Sequence, residues 1–545
     1  MASPFELSER LVDDTVALSP VFATSLGVPG SDHLWGDLGL AGAEARYAMA
    51  RRYRTAFAAH VDHDDQDQRV AARILTKTAE EWIEAHEAGD HLEDLSHMAS
   101  TFQNLRSIFD VMDVSGNPEG VCSRLETIGS AFDGIIERLD EGRRRSKVVA
   151  ERQVRAVLKQ ARALAGHDSA FTKLVARSET ASRDRLVAAI DTARQEAARF
   201  ADYLESTYLP DARPDDGAGE ERYRRAAERM VGIAVDPAEA YEWGWGEIDR
   251  LLAEMRTEGE RILPGARFAE VTAHLESADA ESADSPEDFV AFISDRLATA
   301  LADLSGVHFD VPEQIRDLTV QIAPPGGALG AYYMRPSEDF ARSGGVWYSI
   351  GDQTRFPLYH QVSTAYHEGF PGHHLQLGIA MTRSDRISRG QRTMVWYPGH
   401  GEGWALYAER LMDELGYLET PAYRYGMFAK HMYRAARVVV DIGLHLGLQI
   451  PAGAPAMAGE FWTFERAVEF METYGFRTHD QAVSEVTRYL GWPGQAISYK
   501  LGEREILAIR AEAMKQPDYQ PKTFHERVLG HGAMRLDTLR EVVLG

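Results

Sequence analysis

The sequence predicts a mainly α-helical protein that carries one small β-sheet. Apolar residues recur at steps of three and four over most of residues 1–320, and this is the period of an α-helix. Short β-branched and aromatic runs, bounded by Gly and Pro, follow over about residues 318–350 and predict two or three strands. Helical periodicity returns near residue 357 and continues to the end, so the sheet is expected to lie between two helical parts.

The first 320 residues are predicted to form a helical scaffold. Segments such as ARYAMARRYRTAFAAHV and RQVRAVLKQARALAGH have the helical pattern, whereas Pro and Gly cluster between such segments. The stretches 209–222 and 277–288 have the composition of linkers. We therefore predict a scaffold domain over 1–320 and a catalytic domain, with the sheet and the metal-binding helices, over 321–545.

The net charge of the chain is −25, from 59 basic and 84 acidic side chains. Residues 1–322 hold 36 basic and 60 acidic side chains, whereas residues 323–545 hold 23 and 24, so the acidity belongs to the scaffold. Nucleic acids and anionic membranes are bound by basic surfaces, so we expect neither as a partner. The simplest interpretation of the acidity is a solvated helical surface.

The single cysteine, Cys122, excludes an intrachain disulfide and a thiolate metal site. The first residues, MASPFELSERLVDDTVALSP, lack the basic and apolar regions of a secretory signal. No run approaches the roughly 18 apolar residues of a membrane span. We therefore expect a cytoplasmic protein.

The richest histidine cluster of the chain has the core YHEGFPGHHLQ at 366–376. His367 followed directly by Glu368 is typical of zinc hydrolases, in which the imidazole holds the metal and the carboxylate takes a proton from the attacking water. The second histidine usually stands four residues later, because positions i and i+4 share a helix face. Here that position is Pro371, so the usual pattern fails.

A helix broken at the Pro-Gly pair is predicted to bring a later histidine back toward His367. On an ideal helix, His373 would be rotated by about 120° from His367 and shifted by about 9 Å, too far for both to bind one ion at about 2.0–2.1 Å. Pro371 removes a helical hydrogen bond, and Gly372 permits unusual backbone angles. We expect His373 to be the second ligand, with His374 as the alternative.

The third ligand is expected from the following helix, GHGEGWALYAERLMDELG at 399–416. Glu402 begins this helix in a Glu-Gly-aromatic context, as in zinc peptidases with two histidines and one glutamate. Glu409 stands seven residues later on the same face. We predict Glu402 as the ligand and Glu409 as a group that orients a ligand or replaces one.

A charged stripe crosses the apolar segment RAARVVVDIGLHLGL at 434–448. The stripe consists of Arg434, Arg437, Asp441 and His445, which share one helix face at steps of three, four and four. Buried charges need partners, so Arg437 and Asp441 either pair with each other or serve the site. In the site, Arg437 would bind a substrate carboxylate and Asp441 would assist the metal. We expect His445 to donate a hydrogen bond to the developing oxyanion.

The segment RYLGWPGQAISYKLG at 488–502 supplies three further candidates beside a Pro-Gly turn. Tyr499 is predicted to act as an electrophilic partner to zinc and to stabilise the tetrahedral oxyanion through its hydroxyl, with an ordinary core tyrosine as the alternative. Arg488 and Lys500, like Arg437, could bind a substrate carboxylate, since Arg presents a bidentate fork.

Five motifs in this order resemble the bacterial domain of unknown function 885 family: YHEGFPGHHLQ, GEGWALYAERL, RAARVVVDIGLH, PGQAISYKLG and FHERVLGHGAMRLDTL. The resemblance is dense over about 320–545 and weaker upstream, where SPVFATSLGV resembles the start of that family. The family is similar to helical zinc peptidases of the oligopeptidase F-like and Taq carboxypeptidase-like kinds. GEGWALYAE also resembles the Asn-Glu-Gly-Phe-Ala segment of zinc aminopeptidases, whose Glu binds the metal, and this supports Glu402.

The resemblance implies a large helical zincin-like metallopeptidase fold with a small β-sheet beside the active-site cleft. The widened histidine spacing departs from those peptidases. We expect one zinc ion and a hydrolase that cleaves short peptides, as a carboxypeptidase or an oligopeptidase. Strand 344–350, with Trp347 and Tyr348, is expected to pair with the substrate backbone.

Two alternatives to a peptidase stay open. The first is a zinc-dependent amidase that acts on a small non-peptide metabolite. The second is a catalytically silent helical binding protein. In every case we expect a monomer or a homodimer.

Overall fold

The structure is a computed structural model that describes residues 2–178, 183–277, 281–323, 330–337 and 340–545. The chain divides into two compact units. The first unit comprises Met1–Ala218 and Thr487–Trp492, and the second comprises Gly219–Val486 and Pro493–Gly545.

The first unit is a bundle of helices. Its α-helices are α1 (Pro4–Leu18), α2 (Pro20–Ser25), α3 (Leu40–Ala58), α4 (Gln66–Glu87), α5 (Thr101–Val111), α6 (Pro118–Glu126), α7 (Ile128–Arg144), α8 (Glu151–Ala165) and α9 (Arg183–Tyr203). Shorter 3₁₀ turns lie at Asp90–Leu92, Thr172–Arg177 and Leu209–Asp211, and a π-helical turn at Leu204–Tyr208 extends α9. Phe132 and Phe200 stack in the core with ring centroids 4.9 Å apart.

The second unit contains the small sheet and the segments that carry the predicted site. Its helices are α10 (Glu220–Val231), α11 (Pro237–Ile262), α12 (Phe268–Leu275), α13 (Pro286–Leu304), α14 (Gln361–Glu368), α15 (His373–Thr382), α16 (Arg389–Thr393), α17 (Pro398–Glu414), α18 (Pro421–Leu446), α19 (Phe464–Thr473), α20 (His479–Gly491), α21 (Ser498–Ala513), α22 (Pro521–Leu529) and α23 (Leu536–Leu544). The last residues of α20 belong to the first unit. A 3₁₀ turn lies at Glu313–Ile315.

The two longest helices of the second unit, α11 and α18, pack against each other. Side-chain caps fix where each begins. Asp236 accepts hydrogen bonds from the first backbone N–H groups of α11, and Thr420 accepts one at the start of α18. α18 ends at Gly447, whose φ of +61° is the left-handed conformation that favours glycine after a helix.

Three strands form the main sheet of the second unit: β2 (Leu318–Ile322), β3 (Gly330–Met334) and β4 (Gly344–Ser349). β4 lies in the centre, parallel to β2 and antiparallel to β3. Two short strands, β1 (Ser282–Ala283) and β5 (Phe356–Pro357), pair separately. The expectation that strand 344–350 pairs with a substrate backbone is therefore wrong, because both of its edges are already occupied and a sheet accepts an added strand only at a free edge.

Helices α17 and α21 meet at glycines, and this contact positions the predicted ligand helix. A Cβ on Gly502 would lie 2.0 Å from the carbonyl oxygen of Gly399, and a Cβ on Gly403 would lie 2.5 Å from the carbonyl carbon of Gly502. Only glycine permits backbones to approach this closely. The register of α17, which carries Glu402, is thus set against α21.

The predicted fold class is confirmed at the level of a mainly helical protein with a small sheet. The junction between Ala218 and Gly219 falls inside the predicted linker 209–222. The predicted domain boundary at 320 and 321 falls inside the second unit. The change from helical to strand-like sequence near residue 318 marks the start of β2, and both sides of it belong to the same compact unit. Of the predicted linker 277–288, residues 278–280 lie outside the described residues, and the rest includes β1 and the start of α13.

Candidate metal centre

The chain turns back sharply between the helix that carries His367 and the next helix. α14 ends one residue after His367, and α15 begins at His373. A Cβ on Gly372 would lie 1.9 Å from the carbonyl oxygen of His367, so only glycine permits this turn. The indole N–H of Trp404 donates a hydrogen bond to the carbonyl of Pro371 at 3.0 Å and holds the turn against α17.

The turn brings His367, His373 and Glu402 together. One ligand atom from each lies within 4.8 Å of the other two. Glu402 Oε2 is 3.4 Å from His367 Nε2 and 3.5 Å from His373 Nε2. The two imidazole rings are nearly perpendicular, at 86°, with centroids 5.0 Å apart. These are the three residues that the sequence predicts as metal ligands.

The spacing of these atoms fits a tetrahedral ion. Two ligands that each bind one zinc at about 2.05 Å, at the tetrahedral angle, lie about 3.3 Å apart. The two imidazole–carboxylate separations of 3.4 and 3.5 Å are close to this value. Two imidazoles and one carboxylate leave a fourth position open, and this is typical of catalytic zinc sites.

The charges of the three residues are strongly coupled without an ion. Burial by itself would lower the pKa of His367, but hydrogen bonds to Glu402 and Glu409 raise it to about 9. Burial would raise the pKa of Glu402, but hydrogen bonds from both imidazoles hold that pKa well below its usual range. The carboxylate is therefore ionised at neutral pH, and His367 is protonated.

Zinc binding near pH 7.5 is expected to release roughly one proton, because a metal binds only the neutral imidazole. Since the pKa of His367 is raised to about 9, zinc affinity should rise about tenfold per pH unit over the two units below about pH 9 and level off above it. Isothermal titration in buffers of different ionisation enthalpy measures the proton count. Affinity that is independent of pH over this range would contradict a protonated His367.

Glu409 binds the ring nitrogen of His367 that faces away from Glu402. Its Oε1 lies 2.8 Å from His367 Nδ1, and its other oxygen accepts a hydrogen bond from Ser363 Oγ. His431 Nε2 is 3.6 Å from Glu409 Oε2. Burial opposes the ionisation of Glu409, but hydrogen bonds to the two histidines hold its pKa well below the usual range. The carboxylate thus fixes the His367 ring so that Nε2 points toward Glu402.

Replacing Glu409 by alanine is expected to lower zinc affinity by about 10–100-fold, because the Nδ1–H of His367 loses the acceptor that orients the ring. Glu409→Gln keeps an acceptor and should lose less. Competition with a chelator of known affinity measures the change. Glu469→Gln, at an exposed position of α19, serves as the control. Equal affinity of wild type and Glu409→Ala would contradict the orienting role.

The network continues from His431 into a buried group of charges. His431 Nδ1 lies 3.6 Å from Glu503 Oε1, and Glu503 pairs with Lys500 and with Arg410. Lys500 Nζ also lies 2.7 Å from Glu247 Oε1. The predicted substrate-binding role of Lys500 does not fit this position, because its ammonium is buried and already neutralised by two carboxylates.

His374, the alternative ligand, is not part of the three-residue group. Its Nε2 lies 2.7 Å from the carbonyl oxygen of Ile315, and its Nδ1 lies 3.0 Å from the hydroxyl of Tyr333 on β3. Both ring nitrogens are thus engaged. Burial lowers its pKa to about 4, so the ring is neutral at pH 7. His374 joins α15 to the sheet.

Glu368 lies beside the group with its carboxylate unengaged. The side chain is partly buried, and among the described residues it makes no hydrogen bond or ion pair. Burial raises its pKa, and the charge of Glu402 adds to the rise, against the opposing charges of His367, His373 and Arg434. A carboxylate with a raised pKa and a free oxygen suits a general base.

Tyr348, on β4, is a buried tyrosine that packs on Phe289 with ring centroids 4.9 Å apart. It is 3% exposed, and its hydroxyl has no hydrogen-bond partner among the described residues. Burial and then the charge of Glu368 raise its pKa. Trp347, the next residue of β4, points to the other face and stacks on Tyr332 with centroids 6.5 Å apart. The predicted pair Trp347 and Tyr348 is thus divided between the two faces of the sheet.

Asp441 and His445 lie in a different cluster from the three ligands. Tyr223 donates a hydrogen bond to Asp441 Oδ2 at 2.7 Å, and the backbone N–H of Gly494 donates to the same oxygen at 3.1 Å. His445 Nε2 is 3.7 Å from Asp441 Oδ1, and its side chain is fully buried. These contacts join α18 to α10 and to the turn before α21. A metal role for Asp441 or an oxyanion role for His445 does not fit them.

The predicted pairing of Arg437 with Asp441 is replaced by a pair with Glu485 at 3.1 Å. The Arg437 guanidinium also lies over the rings of Tyr433 and Tyr499, at 4.0 and 4.9 Å from their centroids. The Tyr499 ring is thus partly buried against Arg437.

Arg488 is only 8% exposed, lies over the ring of Tyr489 at 5.0 Å and belongs to the short segment 487–492 of the first unit. His367, His373 and Glu402 lie in the second unit.

Sequence reasoning missed His431, Lys430 and Trp396. His431 extends the hydrogen-bonded network, and its signal was the polar run KHMYR inside the apolar helix α18. Trp396 lies with its ring centroid 6.4 Å from that of His373 and is 44% exposed. Trp396 stands alone in the segment before α17, so no periodic pattern in the sequence indicates it.

Comparisons with known proteins concern the fold and the family. The family described as "Bacterial protein of unknown function (DUF885)" matches residues 20–543. A structure described as a "putative lipoprotein" from Colwellia psychrerythraea has 20% identity and a TM-score of 0.82, with 99% of this chain and 98% of that chain covered. A second structure with that description, of unknown function and from Shewanella oneidensis, has 18% identity and a TM-score of 0.73, with both chains fully covered. No curated protein matches the chain.

Within the described part of the chain, every helix is too short or too polar to cross a membrane. The two structural relatives are described as lipoproteins, which is a statement about those proteins. The cytoplasmic location and the oligomeric state of this chain stay predictions.

Proposed function

We propose that this chain, which belongs to the DUF885 family of bacterial proteins of unknown function, is a zinc-dependent peptidase that cleaves short peptides. The observation that carries the proposal is the spacing of His367, His373 and Glu402, which fits a tetrahedral zinc with one open position. A free carboxylate, Glu368, stands directly beside them. Five ordered motifs and the helical fold support the finer assignment to a zincin-like metallopeptidase fold.

Each residue has a defined task in this proposal. A zinc ion at the site supplies a Lewis acid that polarises a carbonyl and acidifies water. Glu368 accepts a proton from the attacking water and later passes it to the leaving amine. Glu409 keeps His367 in the tautomer whose Nε2 faces Glu402.

Tyr348 is our first candidate for the donor to the developing oxyanion. A buried hydroxyl without a hydrogen-bond acceptor costs free energy, and the oxygen of a substrate carbonyl can supply the missing acceptor. Tyr348 meets this condition, and the charge of Glu368 contributes to its raised pKa. Tyr499 remains a second candidate, since its ring lies against Arg437 and Arg434 at one side of α18.

The proposal is tested by metal analysis and by digestion of a mixed peptide library, with the products identified by mass spectrometry. We expect about one zinc per chain, cleavage of short peptides, loss of cleavage after chelation and recovery when zinc is returned. Zinc binding without cleavage of any peptide would favour the amidase that acts on a small metabolite. Absence of both zinc binding and cleavage would favour the silent binding protein.

A further inference from the structure

Three basic side chains gather on one side of the candidate metal centre. Lys430 and Arg434 stand one helical turn apart on α18, and Arg477 lies in the loop between α19 and α20. All three are partly buried. Burial, followed by the charges of Arg477 and Arg434, lowers the pKa of Lys430 to about 7. The three side chains are therefore close enough to repel one another.

No protein carboxylate neutralises this group. Among the described residues, no carboxylate lies within 4.0 Å of the charged nitrogens of Lys430, Arg434 or Arg477. The hydrogen bonds of their side chains are one from Arg434 Nη1 to the carbonyl of Lys430 at 3.2 Å and one from Arg477 Nε to the carbonyl of Gly475 at 3.1 Å. The buried Nε of Arg434 has no acceptor. Arg437, one turn further along α18, differs in this respect, because it pairs with Glu485 at 3.1 Å. Clustered cations without counter-charges cost free energy unless an anion binds.

Aromatic rings hold the guanidinium groups in place. Arg477 and Arg437 lie over the ring of Tyr433, at 3.9 and 4.0 Å from its centroid. Arg434 lies 5.9 Å from the centroid of Tyr499. A cation–π contact fixes the position of a guanidinium through its face, and the N–H groups at its edge can still donate hydrogen bonds. The N–H donors of Arg434 and Arg477 that do not bind the carbonyls of Lys430 and Gly475 are thus pre-positioned for an incoming acceptor.

The cationic group lies on the Glu368 side of the metal centre. The charge of Arg434 acts on Glu368, and the charges of Glu368 and Glu409 act on Lys430. Lys430 is next to His431, whose Nε2 lies 3.6 Å from Glu409 Oε2, and Glu409 Oε1 lies 2.8 Å from His367 Nδ1. An anion held by these cations would therefore lie close to the candidate metal centre.

We propose that Lys430, Arg434 and Arg477 form a subsite for a carboxylate of the substrate, placed close to the bond that is cleaved. This inference rests on the proposed peptidase function and names its substrate class. Two kinds of peptide carboxylate share this chemistry, the C-terminal carboxylate and an acidic side chain. The C-terminal carboxylate would make the enzyme a carboxypeptidase.

The subsite can be tested without catalysis, on metal-free protein, by calorimetric titration with three probes. The probes are acetyl-Ala-Ala with a free carboxylate, its C-terminal amide, and acetyl-Asp-amide, whose carboxylate is in the side chain. We expect acetyl-Ala-Ala to bind at least about tenfold more tightly than its amide, because a charge-assisted hydrogen bond is lost. Tighter binding of acetyl-Asp-amide than of acetyl-Ala-Ala would support the subsite and assign it to an acidic side chain.

Variants connect the binding to the three cations. Arg434→Gln and Arg477→Gln should each weaken acetyl-Ala-Ala by about tenfold or more and leave the amide unchanged. Arg256→Gln, at an exposed position of α11, is the control and should bind like wild type. Zinc affinity is measured on the same variants, and unchanged values show that the metal centre is intact.

Equal binding of acetyl-Ala-Ala, its amide and acetyl-Asp-amide to wild type would overturn the subsite, whether or not the protein cleaves peptides. Equal binding of the acid to wild type, Arg434→Gln and Arg477→Gln would overturn it as well. Failure of the peptidase proposal has a different signature, because zinc binding or library cleavage would be absent while carboxylate binding is retained. The two proposals therefore fail separately.

Discussion

Replacement of Glu368 by glutamine is expected to lower turnover by about 10²–10⁴-fold, the usual contribution of a positioned general base. Glutamine has nearly the same shape but cannot accept the proton of the attacking water. Glu368 is not one of the three grouped ligands and makes no hydrogen bond among the described residues, so its replacement should leave both the zinc content and the fold unchanged. The loss should therefore appear in kcat more than in KM.

Peptide turnover, zinc content and thermal unfolding of wild type and Glu368→Gln check this expectation. Glu469→Gln is the matched control, because it makes the same change at an exposed site of α19. A variant that keeps wild-type turnover would refute Glu368 as the base. A variant that loses zinc would place Glu368 among the ligands instead.

Replacement of His373 and His374 by alanine, one at a time, is expected to give opposite results. His373→Ala removes one of the three grouped ligands and should abolish stoichiometric zinc binding at micromolar metal. His374→Ala should retain zinc, because both of its ring nitrogens are engaged away from the site.

His374→Ala should instead destabilise the fold. It leaves the hydroxyl of Tyr333 and the carbonyl of Ile315 buried without a partner, at a cost of about 1–3 kcal/mol for each group. A total loss of about 2–6 kcal/mol in the free energy of unfolding follows. Urea unfolding measures this loss, and zinc analysis of the same variant checks the metal content. His479→Ala, at an exposed histidine, is the control. Loss of zinc in His374→Ala with His373→Ala still loaded would reverse the assignment of the second ligand.

Short-range sequence signals predicted the ligand group well. The His367–Glu368 pair, the Pro-Gly break and the Glu-Gly-aromatic helix all lie within 36 residues, and each has a local physical meaning. The break in particular follows from what Pro371 and Gly372 do to any helix. Sequence reasoning could therefore arrive at His373 in spite of its unusual spacing.

Long-range contacts could not be predicted in this way. The sequence places Lys500 in a Tyr-Lys pair beside a turn, but its partner Glu247 lies on α11, more than 250 positions earlier. The stripe on α18 likewise shows that its charges share a face, but not that Arg437 pairs with Glu485 and Asp441 with Tyr223. Strand order also depends on contacts between distant segments, because β4 lies in the centre of the sheet only through its pairing with β2 and β3.

The glycine contact between α17 and α21 has a consequence for attempts to divide the protein. All three grouped ligands lie between positions 367 and 402, so a short fragment would contain every one of them. Yet α17 packs directly on the backbone of α21 at Gly502, because a side chain at that position would overlap the carbonyl oxygen of Gly399. A fragment that ends before α21 would keep the three residues and lose this contact, so we expect a piece that holds them in the same geometry to extend about a hundred residues beyond Glu402.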